Sequence, residues 1–208
     1  MKEKIEKFLI DVAIKITREG KGCLFVIEEK KVDYDLLIEQ DIKSFNILDN
    51  PRRLEALAIL DGACIIDLKG NLIAYGVNIT NIKSFKGFGT RHSAGYTASL
   101  LGNTSIVGSE EDKKVRIFRE GKLVMEIDSL TRNIEHRTNE AVNIMESIGF
   151  GTLGTIGATA LAPHLGITLI PGIIIFGSAH YLIKILLSKP HKKNKSKNQS
   201  LITAFFRD

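Results

Sequence analysis

Residues 147–183 contain no Asp, Glu, Lys or Arg. An uncharged stretch of that length has few physical outcomes. As one straight helix it would run about 55 Å at roughly 1.5 Å per residue, whereas a bilayer's hydrocarbon core is about 30 Å thick. A single span would leave too much apolar chain over. Pro163-His164-Leu165-Gly166 is a turn signal near the middle, so the expectation is two helices, 147–162 and 167–187, folded as a membrane hairpin. Gly154, Ala158 and Ala162 recur at every fourth position, the small-residue spacing that lets membrane helices pack closely. A buried helical hairpin in a soluble assembly is the other reading, because the first arm is rich in Thr and Gly.

Charge distribution bears on the same question. The net charge is +5, but residues 184–208 hold seven Lys or Arg and one acid, which leaves residues 1–183 at −1. The basic character belongs to the tail, so no nucleic-acid partner is expected. Basic tails favour the cytoplasmic side, and two crossings place the tail and the N-terminal domain on that side together. MKEKIEKFLIDVAIKI lacks the continuous apolar core of a secretory signal. A membrane protein with its N-terminal domain in the cytoplasm is therefore expected. Cys23 and Cys64 lie in apolar stretches without metal-ligand spacing and read as buried reduced thiols.

Before the uncharged run the pattern is mixed. Ile5, Phe8, Leu9, Val12, Ala13 and Ile16 share one helical face within 3–18. Residues 23–28 read as a buried strand, 34–40 as a short helix, and Pro51 as the first residue of another helix. Residues 64–67 and 72–78, separated around Lys69-Gly70-Asn71, read as a hairpin. Residues 91–101 read as a helix whose N-cap is Thr90, and 104–108, 115–118 and 122–127 as strands. The fold class is α/β, with a mixed central β-sheet flanked by helices and followed by a C-terminal apolar helical hairpin. The division is an N-terminal helix (1–22), the α/β domain (23–130), a linker helix (131–146), the hairpin (147–187) and a basic tail (188–208) expected to be disordered.

Three short segments carry chemistry. Asp61-Gly62-Ala63 places an acid between a helix and an apolar strand; an Asp before Gly is also an ordinary turn residue. Gly89-Thr90-Arg91-His92-Ser93-Ala94 puts hydroxyls and positive charge at a helix mouth, where free N–H groups and the dipole favour anions. A plain capped helix with exposed basic residues fits those letters too. Ser109-Glu110-Glu111 ends a strand, where acids hold a metal, orient a ribose or simply begin a turn.

In this order and spacing the three segments resemble the diadenylate cyclase domain family, which joins two ATP molecules into cyclic di-AMP and releases two pyrophosphates. The family pattern is Asp-Gly-Ala, then Gly-Thr-Arg-His-Arg-Ala-Ala, then Ser-Glu-Glu after the next strand. The likeness covers residues 23–130 and includes the strand pair VRIFREGKLV. It implies that Asp61, Arg91 and His92 are catalytic, with Asp61 and His92 holding Mg²⁺ or Mn²⁺. Gly62 and Ala63 would shape the wall beside the ribose. Thr90, Ser93, Ser109 and Glu110 would complete the phosphate side, and adenine contacts are expected from 76–79. Two equivalent 3′–5′ linkages require two sites facing each other about a two-fold axis, hence a face-to-face homodimer.

Two letters depart from the family pattern: Ser93 stands where the family has a second Arg, and Gly95 where it has Ala. If that Arg contacts phosphate, its loss costs on the order of 1.5–3 kcal/mol, and Lys83 and Lys86 are the candidate replacements. The departure keeps open a catalytically weak or inactive domain that senses ATP or cyclic di-AMP on a membrane anchor. A structural membrane protein whose domain serves oligomerisation is the third reading.

Overall fold

The computed structural model describes residues 1–131 and, further on, 167–170 and 173–176. In chain order the elements are α1 (Lys2–Arg18), β1 (Cys23–Glu28), β2 (Tyr34–Leu36), α2 (Pro51–Ala58), β3 (Ala63–Asp67), β4 (Leu72–Ile79), α3 (Thr90–Leu100), β5 (Thr104–Gly108), β6 (Lys114–Arg119), β7 (Lys122–Asp128), β8 (Ile167–Ile170) and β9 (Ile173–Phe176). The first seven strands form one mixed sheet in the order β2-β4-β3-β1-β5-β6-β7. Strands β1 and β3 run parallel; the other pairs among these seven are antiparallel.

Alternation along β1 explains the layering. Cys23, Phe25 and Ile27 join one core with Ile5, Leu9 and Ile16 of α1 and with Leu54 and Leu57 of α2. Leu24 and Val26 point the other way and pack with Ala94 and Ala98 of α3. A strand covered on both faces is apolar throughout, which is why CLFVI shows no polar alternation. Each fully buried Leu or Ile contributes about 1.5–3 kcal/mol relative to exposure, so α1 is anchored by the same core that holds the sheet. Glu6 of α1, fully buried, accepts hydrogen bonds from Arg119 of β6 and ties this helix to that strand. On the opposite face α3 approaches closely because Gly95 has no side chain: a Cβ there would sit 2.7 Å from Val107 Cγ2. Gly95 is thus the residue that seats the helix on β5.

Topology then dictates where a site can form. Since β4 and β5 run against β3 and β1, the C-terminal ends of β4 and β5 lie beside the N-terminal ends of β3 and β1. The same edge receives the N-terminal end of β6, where Val107 opposes Arg116.

Two expectations are corrected. The short helix over 34–40 is replaced by the edge strand β2, in which Tyr34 pairs with Ile79 and Leu36 with Val77. The open edge of β4 supplies main-chain partners that a helix would forfeit, and Gln40 extends the effect. Its side-chain amide donates to the Tyr75 carbonyl at 2.8 Å and accepts from the Tyr75 N–H at 3.1 Å. The N-cap of α3 is Gly89, with Thr90 the first helical residue. Within 167–187 the eight described residues are strands. β9 runs parallel to β7 and antiparallel to β8. These segments are rich in β-branched Ile and flank the turn dipeptide Pro171-Gly172. The rest of the expected helical hairpin, the linker helix and the tail lie outside the described residues. No helix among the described residues is long and apolar enough to cross a membrane.

Candidate active site

A cavity of about 670 Å³ opens at that sheet edge, within the range of about 300–1,000 Å³ typical of small-molecule sites. Asp61 and Gly62 from the start of β3, Thr90, Arg91 and His92 from the mouth of α3, and Ser109 and Glu110 from the end of β5 all line it. The three sequence segments therefore converge on one hollow.

Local backbone explains the placement of Asp61. Gly62 has φ +94, and a Cβ on it would lie 2.6 Å from the Val77 carbonyl oxygen and 2.7 Å from the Val77 nitrogen. Only glycine lets β3 begin so close to β4. The Gly62 N–H donates to Asp61 Oδ1 at 3.0 Å, which orients the exposed carboxylate. At α3 the first helical hydrogen bond runs from the Ser93 N–H to the Gly89 carbonyl at 3.1 Å. The amides of Thr90, Arg91 and His92 consequently have no intrahelical acceptor, and they sit at the positive end of the helix dipole. Arg91 extends back over the backbone of Gly22, where a Cβ would lie 2.1 Å from its guanidinium.

Two of the expected residues stand elsewhere. Ala63 is 2% exposed and packs in the sheet core instead of the cavity wall. Ser93 is 6% exposed, and its hydroxyl accepts the Phe85 N–H at 3.1 Å. Together with Thr97 Oγ1, which accepts the Lys83 N–H at 2.8 Å, it ties residues 83–85 down onto α3. Ser93 therefore does not take over a phosphate contact; it anchors a loop. Of the strand end 76–79, Val77, Asn78 and Ile79 line the cavity.

One cluster was not foreseen. Arg116 of β6 is 3% exposed and lines the cavity. Its Nε donates to Glu126 Oε2 at 2.8 Å, its guanidinium is paired with Asp112, and Nη1 lies 3.0 Å from His92 Nε2. The Phe88 ring covers it, with the guanidinium carbon 4.8 Å from the centroid, and Phe88 also packs against His92 at 5.0 Å. Burial, and then the charge of Arg116, push the His92 imidazole down to about 4. For Asp112 burial works upward, but the hydrogen bond and charge of Arg116 outweigh it and hold the carboxyl below the usual range. The available signal was the register: in VRIFR, Arg116 shares a face with the buried Phe118.

The model of the family described as "DisA bacterial checkpoint controller nucleotide-binding" matches residues 11–123. A diadenylate cyclase of Haloferax volcanii is 29% identical over 143 residues, covering 58% of this chain and 51% of that protein. The chain thus spans about half the length of that relative. Two solved structures are similar at lower identity. A hypothetical membrane spanning protein from Bacillus cereus shares 17% identity at a TM-score of 0.44, over 57% of this chain and 61% of that one. A double mutant of DacA from Staphylococcus aureus shares 19% at a TM-score of 0.46, over 68% and 95%.

Proposed function

The chain belongs to the diadenylate cyclase domain family, and we propose that it condenses two ATP molecules into cyclic di-AMP with release of two pyrophosphates. The observation that carries this reading is the single cavity lined by Asp61, by the open end of α3 and by the end of β5. The free amides of 90–92 and the Arg91 guanidinium offer donors and positive charge to a polyphosphate, where phosphoryl transfer needs preorganised neutralisation. Asp61 stands at the cavity wall to accept the proton of a ribose 3′-hydroxyl. The 3′-oxygen then bonds to the partner nucleotide's α-phosphorus, and the α–β phosphoanhydride bond breaks to release pyrophosphate. Val77 and Ile79 offer an apolar wall to the base, with Asn78 beside them.

A divalent cation fits the donors present in one way. Among the described residues no three His, Cys, Asp or Glu side chains converge as a metal site. Asp61 would therefore hold Mg²⁺ or Mn²⁺ jointly with substrate phosphates, as is usual for Mg²⁺, which takes one or two carboxylates plus phosphate oxygens. The bound ion would supply charge neutralisation at the reacting phosphates. Each site holds one nucleotide, so both linkages form only when two copies face each other about a two-fold axis. Attachment to a membrane is proposed from the uncharged run 147–183, and the cytoplasmic placement of the domain from the basic residues of 184–208.

The test is incubation of the purified chain with ATP and Mn²⁺, followed by nucleotide separation. The expected result is cyclic di-AMP with two pyrophosphates per product, abolished by Asp61→Asn. No cyclic dinucleotide with any of several divalent metals, at protein concentrations high enough for pairing, contradicts the proposal.

A further inference from the structure

We propose that Arg116 is a positioning residue that holds His92 as its Nδ1–H tautomer, so that the imidazole serves the substrate as a hydrogen-bond donor and not as a ligand of the divalent cation. The inference deepens the cyclase reading and rests on it for the identity of the substrate. It departs from the expectation that His92 joins Asp61 as a metal ligand.

The geometry is restrictive. A guanidinium only donates hydrogen bonds and is not deprotonated in proteins. His92 Nε2, 3.0 Å from Arg116 Nη1, must therefore be the acceptor, and its lone pair is occupied. A neutral ring accepting at Nε2 carries its hydrogen on Nδ1. Neither nitrogen then has a lone pair to give a metal, while Nδ1–H remains to donate. Arg116 cannot swing away at little cost. Glu126 holds its Nε at 2.8 Å, Asp112 pairs with its outer edge, and the Phe88 ring lies across its face. The same Phe88 ring packs on His92, so loop and imidazole are fixed as one unit. Arg116 and Arg91 oppose a positive ring, while Asp112 and Glu126 are turned to Arg116. A neutral donor beside the open amides of 90–92 suits an anionic oxygen, which is what a nucleoside triphosphate presents there.

The test uses long-range ¹H–¹⁵N spectra of histidine side chains in the ¹⁵N-labelled full-length chain, with His92 identified by the signals lost in His92→Gln. In the free protein, the expected result is an unprotonated, hydrogen-bonded Nε2 and a protonated Nδ1. Arg116→Gln is expected to move His92 toward mixed tautomers, and Arg116→Lys, which keeps a charged donor, to retain much of the original pattern. Addition of Mg²⁺ with 3′-deoxy-ATP, which lacks the attacking hydroxyl, should shift Nδ1–H and leave Nε2 in place. A protonated Nε2 in the free wild-type protein, or an Nε2 resonance displaced by Mg²⁺ and nucleotide, overturns the proposal. If 3′-deoxy-ATP perturbs no amide of the protein, the cyclase reading fails, while the free-protein tautomer still decides the role of Arg116.

Discussion

Three glycines around the cavity differ in a way that separates two energetic costs. Gly89 has φ −74 and open space where a Cβ would go. Gly87 has φ +85, also with open space. Gly62 has φ +94, and its Cβ would lie 2.6–2.9 Å from backbone atoms of Val77 and Gly76, which cannot rotate away as a side chain would. Gly89→Ala should be nearly neutral. The entropy gain of about 0.4–1 kcal/mol is offset by the poorer N-cap preference of Ala, which costs about as much. Gly87→Ala should lose about 1–2 kcal/mol from the left-handed backbone alone. Gly62→Ala should add overpacking of about 1–3 kcal/mol to that strain, for a total of about 2–5 kcal/mol. Against a typical stability of about 5–15 kcal/mol, that is enough to displace the start of β3 and the Asp61 carboxylate with it. Urea unfolding followed by circular dichroism would give the three values. If Gly62→Ala is no more costly than Gly87→Ala, the close approach of β3 to β4 is wrong, and so is the account of how Asp61 is aimed.

Other outcomes follow from the same packing. Glu6→Ala removes the buried carboxylate that accepts the Arg119 hydrogen bonds and should cost about 3–5 kcal/mol in urea unfolding. Ser93→Ala leaves the Phe85 N–H without its acceptor and should cost about 0.5–1.5 kcal/mol, with faster amide exchange confined to residues 82–88. His92 gives stability a definite pH dependence. The unfolded imidazole takes a proton below 6.5 and the folded one only near 4, so the unfolded state binds more protons between those values. Stability should therefore fall as pH drops from 6.5 toward 4 and contribute no further slope below; thermal melts of His92→Gln across that range should lack this component.

Much of this arrangement is legible in the letters because local pattern and tertiary role agree. The stripe of α1, the two-sided burial of β1, the β3–β4 hairpin and the anion-seeking mouth of α3 each announce themselves by periodicity or by turn residues. β2 does not, since a three-residue edge strand is defined by what β4 offers and not by its own propensity. Ser93 reads as a weakened phosphate ligand until the loop above α3 shows what its hydroxyl holds. Arg116 is the instructive omission. One basic residue in an alternating strand ordinarily faces water. Here α3 and the Phe88 loop cover that face, and Glu126, directly opposite Arg116 on β7, supplies the counter-charge. Burial of that kind is created by packing between distant segments and leaves only the register as a trace.

The central claim is that residues 61–62, 89–92 and 109–112 form a single nucleotide site. Amide hydrogen exchange with and without 3′-deoxy-ATP and Mg²⁺ tests it directly. Slowed exchange in all three segments together, greatest at the amides of Thr90, Arg91 and His92, is the predicted result. Protection restricted to one segment, or located away from this edge of the sheet, would contradict it.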